Sequence, residues 1–280
     1  MHHPGSESAT HGLQWFGRTD TGKIRPNNED SFLGLLFNAS EVHHLGKIGE
    51  AFTGATDFVF AVSDGMGGAK AGEFASRITV EKITRILPRS YRQSAVGLEV
   101  SYTEVLGELF DQIHKALAYV GDSYEECQGM QATLSLCWFT PGWMYYGHIG
   151  DSRIYYLSTR NNEIKQLSQD DTHVGWLFRK GEINERQARE HPRRTALQRA
   201  LGAGNQFIDP QVGAVAYETG DTFLLCTDGL VEGLYDNQLN ELLRNPGLAR
   251  ENLNPAYLLV DASLANSGRD NTTALVVKVV

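Results

Sequence analysis

The chain has very little cysteine: three residues in 280, Cys127, Cys137 and Cys226. An odd set of three, in no metal-ligand spacing, sets aside both a disulfide framework and a thiolate zinc site. Cys137 and Cys226 lie inside apolar runs, where a packed, reduced thiol is the expected state. A reducing compartment, the cytoplasm, is the expectation that follows. Basic charge is also short, with 25 Lys and Arg against 34 Asp and Glu and a formal net charge of −9. A nucleic-acid binder normally carries a basic face that releases phosphate counterions, and an anionic membrane surface attracts the same kind of patch. Neither partner is expected here. No stretch approaches the roughly 20 apolar residues of a bilayer span. The opening residues, MHHPGSESATHG, lack the basic start and apolar run of a secretory signal. Repeats, low-complexity tracts and long charge blocks are absent as well. The expected organisation is a polar tail over residues 1–12 and one domain over 13–280.

What the chain does contain is a series of short β-type runs, at residues 58–63, 133–139, 144–149, 153–157, 222–226 and 273–280. Each is rich in β-branched or aromatic residues and is bounded by Gly, Asp, Asn or Pro. Helical patterns lie between them. Residues 73–87 carry Phe74, Ile78, Ile83 and Ile86 at helical spacing, with Pro88 expected to stop the run. Residues 100–120 form a second long amphipathic stretch, and 237–243 and 255–266 read as shorter helices. Strands arrive in hairpin-like clusters rather than in strict alternation with helices, which favours an α+β layered sandwich over a doubly wound parallel sheet. Residues 38–57 read as a long loop insertion. Residues 168–195, charged and partly helical, read as a lid.

The informative feature is a recurring local grammar: an apolar β run, an aspartate, then a turn. It occurs as FVFAVSDGMGG around Asp64, YYGHIGDSRIYYL around Asp151 and DTFLLCTDGL around Asp228. In SGRDNTTALVV, Asp270 precedes the strand, and in IRPNNEDSFLGL, Glu29 and Asp30 precede a short apolar run. Taken singly, Asp-Gly and Asp-Asn are simply favoured turn dipeptides. Taken together they place acids at strand ends, which a layered sandwich brings to one edge. Two carboxylates about 4 Å apart repel by roughly 4 kcal/mol at an effective dielectric near 20. A cluster of four or five therefore needs protons or divalent cations. Oxygen-only donors suit Mg²⁺, Mn²⁺ or Ca²⁺, and the absence of His and Cys from these motifs disfavours zinc. His148 alternates onto the strand face opposite Asp151 and reads as structural. Gly65 lets the backbone approach a metal-bound water closely. GMGG lacks the lysine-serine ending of a phosphate-binding P-loop.

RPNNED, AVSDGMGG, GDSR, CTDGL and RDNTT, in this order and spacing, resemble the type-2C metal-dependent protein phosphatases, the PPM class. GEINERQAREHPRRTALQRALG is similar to the corresponding segment of their bacterial branch. The resemblance covers nearly the whole chain from about Gly12 to Val280. It implies a four-layer α-β-β-α sandwich of two antiparallel sheets flanked by helices, with metals in the cleft at one end. Residue by residue, it implies Asp64 as the aspartate bridging two core ions, and Asp228 and Asp270 as ligands of the first. Glu29 and the Gly65 carbonyl match ligands of the second, mainly through water. Asp30 matches an acid that orients a metal-bound water, Asp151 matches one that with Asp228 holds a weaker third ion, and Arg25 matches the phosphate clamp. Eukaryotic members carry a His after the Asp-Gly pair; here it is Met66, as in the bacterial relatives, and a thioether donates no proton. The family's GMGTT-like segment reads GMQATL at residues 129–134, and no chemistry is assigned to it.

The chemistry implied is direct hydrolysis of phosphoserine and phosphothreonine on proteins, by a hydroxide shared between two Mg²⁺ or Mn²⁺ ions. Phosphorylated proteins are the implied partners, with a Ser/Thr kinase acting in opposition and the phosphatase itself a monomer. Arg179, Lys180, Arg193 and Arg194 of the lid are candidate substrate contacts, against the alternative of a solvated basic loop. Nucleophilic-aspartate phosphatases are excluded by the missing DxDx(T/V), and calcineurin-like ones by the missing GDxHG and GNHD. The rival class is a non-catalytic phosphoprotein-binding regulatory module on the same scaffold. Such modules lose metal ligands, and this sequence retains every one.

Overall fold

The structure, a computed structural model, describes residues 11–38, 40–54, 56–67, 71–95, 101–202, 204, 208–246 and 253–280, the side chains of 89–95 apart. Five strands come first: β1 (Gly12–Asp20), β2 (Asp30–Phe37), β3 (Val42–His44), β4 (Ile48–Phe52) and β5 (Asp57–Met66). Two long helices follow, α1 (Ala71–Ala95) and α2 (Tyr102–Ser123). A second run of strands comprises β6 (Gln131–Ala132), β7 (Leu134–Thr140), β8 (Trp143–Ile149), β9 (Arg153–Leu157) and β10 (Ile164–Gln166). Short helices α3 (His173–Arg179) and α4 (Glu185–Glu190) lie in the segment 168–195, expected from the sequence to be a lid. The chain closes with β11 (Leu201–Gly202), β12 (Gln211–Ala216), β13 (Thr222–Cys226), α5 (Asp228–Gly233), α6 (Asp236–Arg244), α7 (Pro255–Asn266) and β14 (Thr272–Val279).

The strands form two antiparallel sheets, one ordered β10-β9-β13-β14-β1-β4 and the other built around β6-β5-β7-β8-β12 with β2 beside β5. The layering follows from alternation. On β5, Phe58, Phe60 and Val62 point into the core between the sheets, while Val59 and Ala61 point to α1 and α2. On β14, Leu275, Val277 and Val279 enter the same inter-sheet core, while Ala274 and Val276 meet α5, α6 and α7. A strand buried on both faces reads as a continuous apolar run, which is how FVFAV and TALVVKV read. Three apolar cores in four layers result: helix–sheet, sheet–sheet and sheet–helix.

Helix ends are set locally. At α3 the Thr172 hydroxyl accepts from Gly175 N at 2.8 Å. At α7 the Asn254 carboxamide oxygen accepts from Ala256 N at 2.9 Å, with Pro255 in the first turn.

The structure corrects several sequence expectations. Residues 38–57 are not a long loop: β3 hairpins onto β2, and β4 crosses to the other sheet to pair with β1. These are short strands with exposed positions and glycine, held by backbone bonds and by Trp15 Nε1 donating to Gly46 O at 2.9 Å, so side-chain pattern says little. Gly49 is required there, because a Cβ would stand 2.1 Å from the Trp15 ring. Pro88 does not end α1, which continues to Ala95. Leu87 and Pro88 are buried, and tertiary packing carries the helix through the missing donor. Phe74, expected on the packed stripe of α1, is 47% exposed, and Ala75, Ile83 and Leu87 fill that stripe. The tail to residue 12 overlaps the start of β1 at Gly12, and residues 1–10 lie outside the described residues. No described helix is long and apolar enough to cross a membrane.

Candidate active site

Strand register assembles the acids. β2 and β5 pair so that Asp30 lies directly opposite Asp64, a placement of like charges that destabilises an antiparallel pair. In the other sheet β13 and β14 are neighbours. Asp228 follows the end of β13 and Asp270 precedes the start of β14. Asp151 follows Gly150, whose φ of +107° and whose approach to Thr133 (2.6 Å from a hypothetical Cβ) both require glycine. Arg25, Glu29, Asp64, Gly65, Met66, Asp151, Asp228 and Asp270 all line one cavity of about 400 Å³. Asp30 does not reach its wall. It is 7% exposed, and its Oδ2 accepts from Thr227 Oγ1 at 2.8 Å and Thr273 Oγ1 at 2.7 Å.

The electrostatics of this cavity are unfavourable for a bare protein. Burial pushes Asp64 well above the ordinary carboxylate range, and the charges of Asp30, Asp228, Asp151 and Asp270 add to the shift. Burial likewise raises Asp228, reinforced by Asp151 and Asp270. Asp30 and Asp151 are raised to about 7, again chiefly by burial, with the two threonine hydroxyls pulling Asp30 the other way. Burial raises Glu29 too, opposed by the charge of Arg25. Asp30 Oδ1 and Asp228 Oδ1 are buried and accept no hydrogen bond. Among the described residues no donor reaches the Asp64 carboxylate either.

The residues present fit divalent cations. The donors are oxygen only, the buried Oδ1 of Asp228 on the cavity wall lacks a partner, and repelling acids gain from an intervening cation. Beside them is a cradle without side chains: a Cβ on Gly72 would stand 2.7 Å from the Glu29 carboxylate and 2.6 Å from the Gly65 carbonyl oxygen. A Cβ on Gly65 would stand 1.8 Å from Gly72 O. Among the described residues no three acidic, His or Cys side chains close a cage around one point. The acids instead ring an open cavity with room for water among the ligands.

Arg25 stands on the same wall, its side chain 49% exposed, and donates to Asp270 Oδ2 at 2.7 Å. That bond is the main cause holding its guanidinium charged above the ordinary arginine range. The four basic lid residues do not line this cavity. Arg179 donates to the Asp170 carbonyl at 2.9 Å, Lys180 lies over the Trp176 ring at 5.8 Å, and Arg194 pairs with Glu232 at 2.8 Å. Arg193 is exposed and lines neither this cavity nor the one beside it. Local partners hold three of these cations, and the lid residue that does reach the cavity is Thr195. His148 is fully buried, bonded to Ser135 Oγ and Gly150 O, and pushed down to about 4 by burial, so it stays neutral and apart from the acids.

Sequence reasoning missed the residues that hold the acids in place. Asn271 is foremost. Its Oδ1 accepts from Glu29 N at 2.8 Å, and its Nδ2 donates to Thr21 O and Asn27 O, both at 2.9 Å. It thereby ties the β1–β2 loop to the start of β14 and sets Glu29 beside Asp270. The signal was present as the Asn of RDNTT, where it reads as a turn residue. Thr227 and Thr273 gave a fainter one, each lying close to an acid in sequence.

A family model described as protein phosphatase 2C matches residues 49–255. The chain belongs to the protein phosphatase 2C family. It is 30% identical over 262 residues to the serine/threonine phosphatase stp of Listeria monocytogenes, covering 93% of this chain and 94% of that one. It is 30% identical over 275 residues to the serine/threonine protein phosphatase PstP of Mycobacterium tuberculosis, covering 96% of this chain and 45% of that longer protein. A solved catalytic domain of PstP in complex with two manganese ions superposes with a TM-score of 0.73 at 27% identity. That match covers 97% of this chain and 100% of the other. The sandwich of two antiparallel sheets flanked by helices is thus the fold of the family.

Proposed function

We propose that this chain is a metal-dependent serine/threonine protein phosphatase, hydrolysing phosphoserine and phosphothreonine monoesters on proteins. The observation that carries this reading is a set of carboxylates lining one cavity, raised by burial and mutual charge, with Asp228 Oδ1 left unpartnered, in a member of the protein phosphatase 2C family. Asp64, Asp228 and Asp270 would hold one divalent ion, and Asp64, Glu29 and the Gly65 carbonyl a second. Asp151 with Asp228 would hold a weaker third. Mg²⁺ and Mn²⁺ both suit this donor set. Bound there, the ions would supply an activated water and neutralise charge developing on the phosphoryl group.

The chain's own groups do the rest. Arg25, half-exposed at the cavity wall, binds phosphoryl oxygens and turns the phosphorus toward the acids. Asp30, opposite Asp64 in the strand register and held by the Thr227 and Thr273 hydroxyls, stands behind the acid set and positions it. Met66 donates no proton, so the leaving alkoxide takes one from solvent in the open cleft. The reading extends to a cytoplasmic monomer that opposes a Ser/Thr kinase.

Hydrolysis of an aryl phosphate and of a phosphothreonine protein, with Mn²⁺, with Mg²⁺ and with chelator, tests it. Turnover that needs the metal is expected. Turnover that survives the chelator removes the mechanism, and absence of Mn²⁺ binding by calorimetry favours a non-catalytic phosphoprotein-binding module.

A further inference from the structure

Beside the catalytic cavity lies a second one of about 490 Å³, between the lid and the α5–α7 side of the sandwich. The two cavities share Asp151, Asp228 and Thr195 in their walls. A phosphoprotein segment held by its phosphate in the first therefore has the second directly in its path.

The wall of the second cavity is rich in charge, and most of that charge beyond the shared acids is already paired. Arg153 grips Asp170 with Nε to Oδ1 at 2.9 Å and Nη2 to Oδ2 at 2.7 Å. Arg194 pairs with Glu232 at 2.8 Å and Arg189 with Glu185 at 3.4 Å. Glu190, also on the wall, is met by Arg186 at 2.9 Å. Four charges are left: Asp151 and Asp228, which also line the first cavity and belong to its acid set, and, away from it, Arg269 and Asp236. The last two are opposite in sign, and Asp236 already accepts the Tyr155 hydroxyl at 2.9 Å. Away from the acids shared with the first cavity, the wall therefore gains little from a charged newcomer, which for most of these groups would have to break an existing pair. Between the pairs stand Val174, Phe178 and Val231, and Phe178 is 46% exposed on α3 although it lines the cavity. An aromatic ring left open beside a binding cleft gains from apolar contact.

We infer that this second cavity is a peptide subsite, taking an uncharged, apolar side chain that neighbours the phosphorylated residue. The inference rests on the phosphatase reading and names the substrate feature that reading leaves open. Phe178 is then a specificity-determining residue, and Thr195 marks the neck between phosphate site and side-chain site.

The experiment compares phosphothreonine peptides carrying Leu or Gly on each side of the phosphorylated residue, with an aryl phosphate as the small control, in the presence of Mn²⁺. For the parent protein, Leu on one side is expected to raise kcat/KM about tenfold over Gly. Phe178→Ala is expected to erase most of that ratio, and Phe178→Leu to keep it. No flank preference on either side overturns the inference. So does a Phe178→Ala protein that loses aryl-phosphate and peptide turnover in equal proportion, since the ring would then serve lid structure alone. If the parent turns over no aryl phosphate, the phosphatase reading itself falls and takes this inference with it; turnover without flank preference removes the inference only.

Discussion

The two ends of the sandwich treat their aspartates in opposite ways, and the same two strands show it. At one end, Asp57 starts β5 and Asp221 precedes β13. Asp57 accepts from Trp138 Nε1 at 2.8 Å. Asp221 is fully buried and accepts from the Tyr156 hydroxyl, Thr159 N and Glu218 N, at 2.8, 2.9 and 3.0 Å. At the other end, Asp64 lies near the end of β5 and Asp228 follows β13, and there the neighbours are further carboxylates. Burial alone therefore does not mark a functional acid. The mark is burial without donors, in company with like charge. An acid met by donors contributes to the fold; one surrounded by acids is held at a cost that only a bound cation offsets.

The contrast predicts opposite mutational signatures. Asp64→Asn is expected to lower metal-dependent aryl-phosphate turnover by about 10²–10³-fold or more, while raising the melting temperature of the chelated protein because a repelling charge is gone. A fall in that temperature would mean the carboxylate is structurally satisfied after all. Asp221→Ala should do the reverse. It removes the acceptor of three part-buried donors and is expected to cost about 2 kcal/mol in a denaturant titration, with kcat/KM unchanged for the folded fraction. Loss of turnover there would blur the division between the ends.

A third variant probes the support of the acid site. Thr227→Val removes one of the two hydroxyls on Asp30 and is expected to weaken Mn²⁺ binding by about tenfold, read by calorimetry. An unchanged affinity would place Asp30 outside the metal-holding machinery.

The smallest effect is a pH slope. In the metal-free protein Asp30 and Asp151 titrate near 7 and Asp57 near 6, against about 4 in an unfolded chain. Between those values the folded state binds more protons than the unfolded one, so stability falls as pH rises from about 4 to 7. Melting curves at pH 5 and pH 8 in chelator should show this. Saturating Mn²⁺ should cancel the share due to the acid-lined end and leave that of Asp57. A slope that metal does not touch would assign it all to the other end.

Much of this was legible in the sequence. FVFAV and TALVVKV read as strands because alternation on a doubly covered strand leaves every position apolar, and Asp64, Asp151 and Asp228 stood out because each followed such a run. β1 and β12 were missed: GLQWFGRTD and QVGAVA carry glycine and polar residues at the positions that would have completed a pattern. β4 was missed because an edge strand with exposed Ile48 and Phe52 is held through backbone bonds. The lid cations were placed as substrate contacts on charge alone, and charge does not disclose that Arg194 already has Glu232.

By itself the sequence determined which residues could do chemistry and on which strands they would ride, because side-chain type and period two are written locally. The tertiary structure alone decided which of those acids would meet donors and which would meet one another. It also decided that Asn271 would bind Glu29 to the start of β14, and that a second cavity would open beside the first. Those outcomes depend on groups hundreds of residues apart arriving within 3 Å, and no local pattern encodes a distance of that kind.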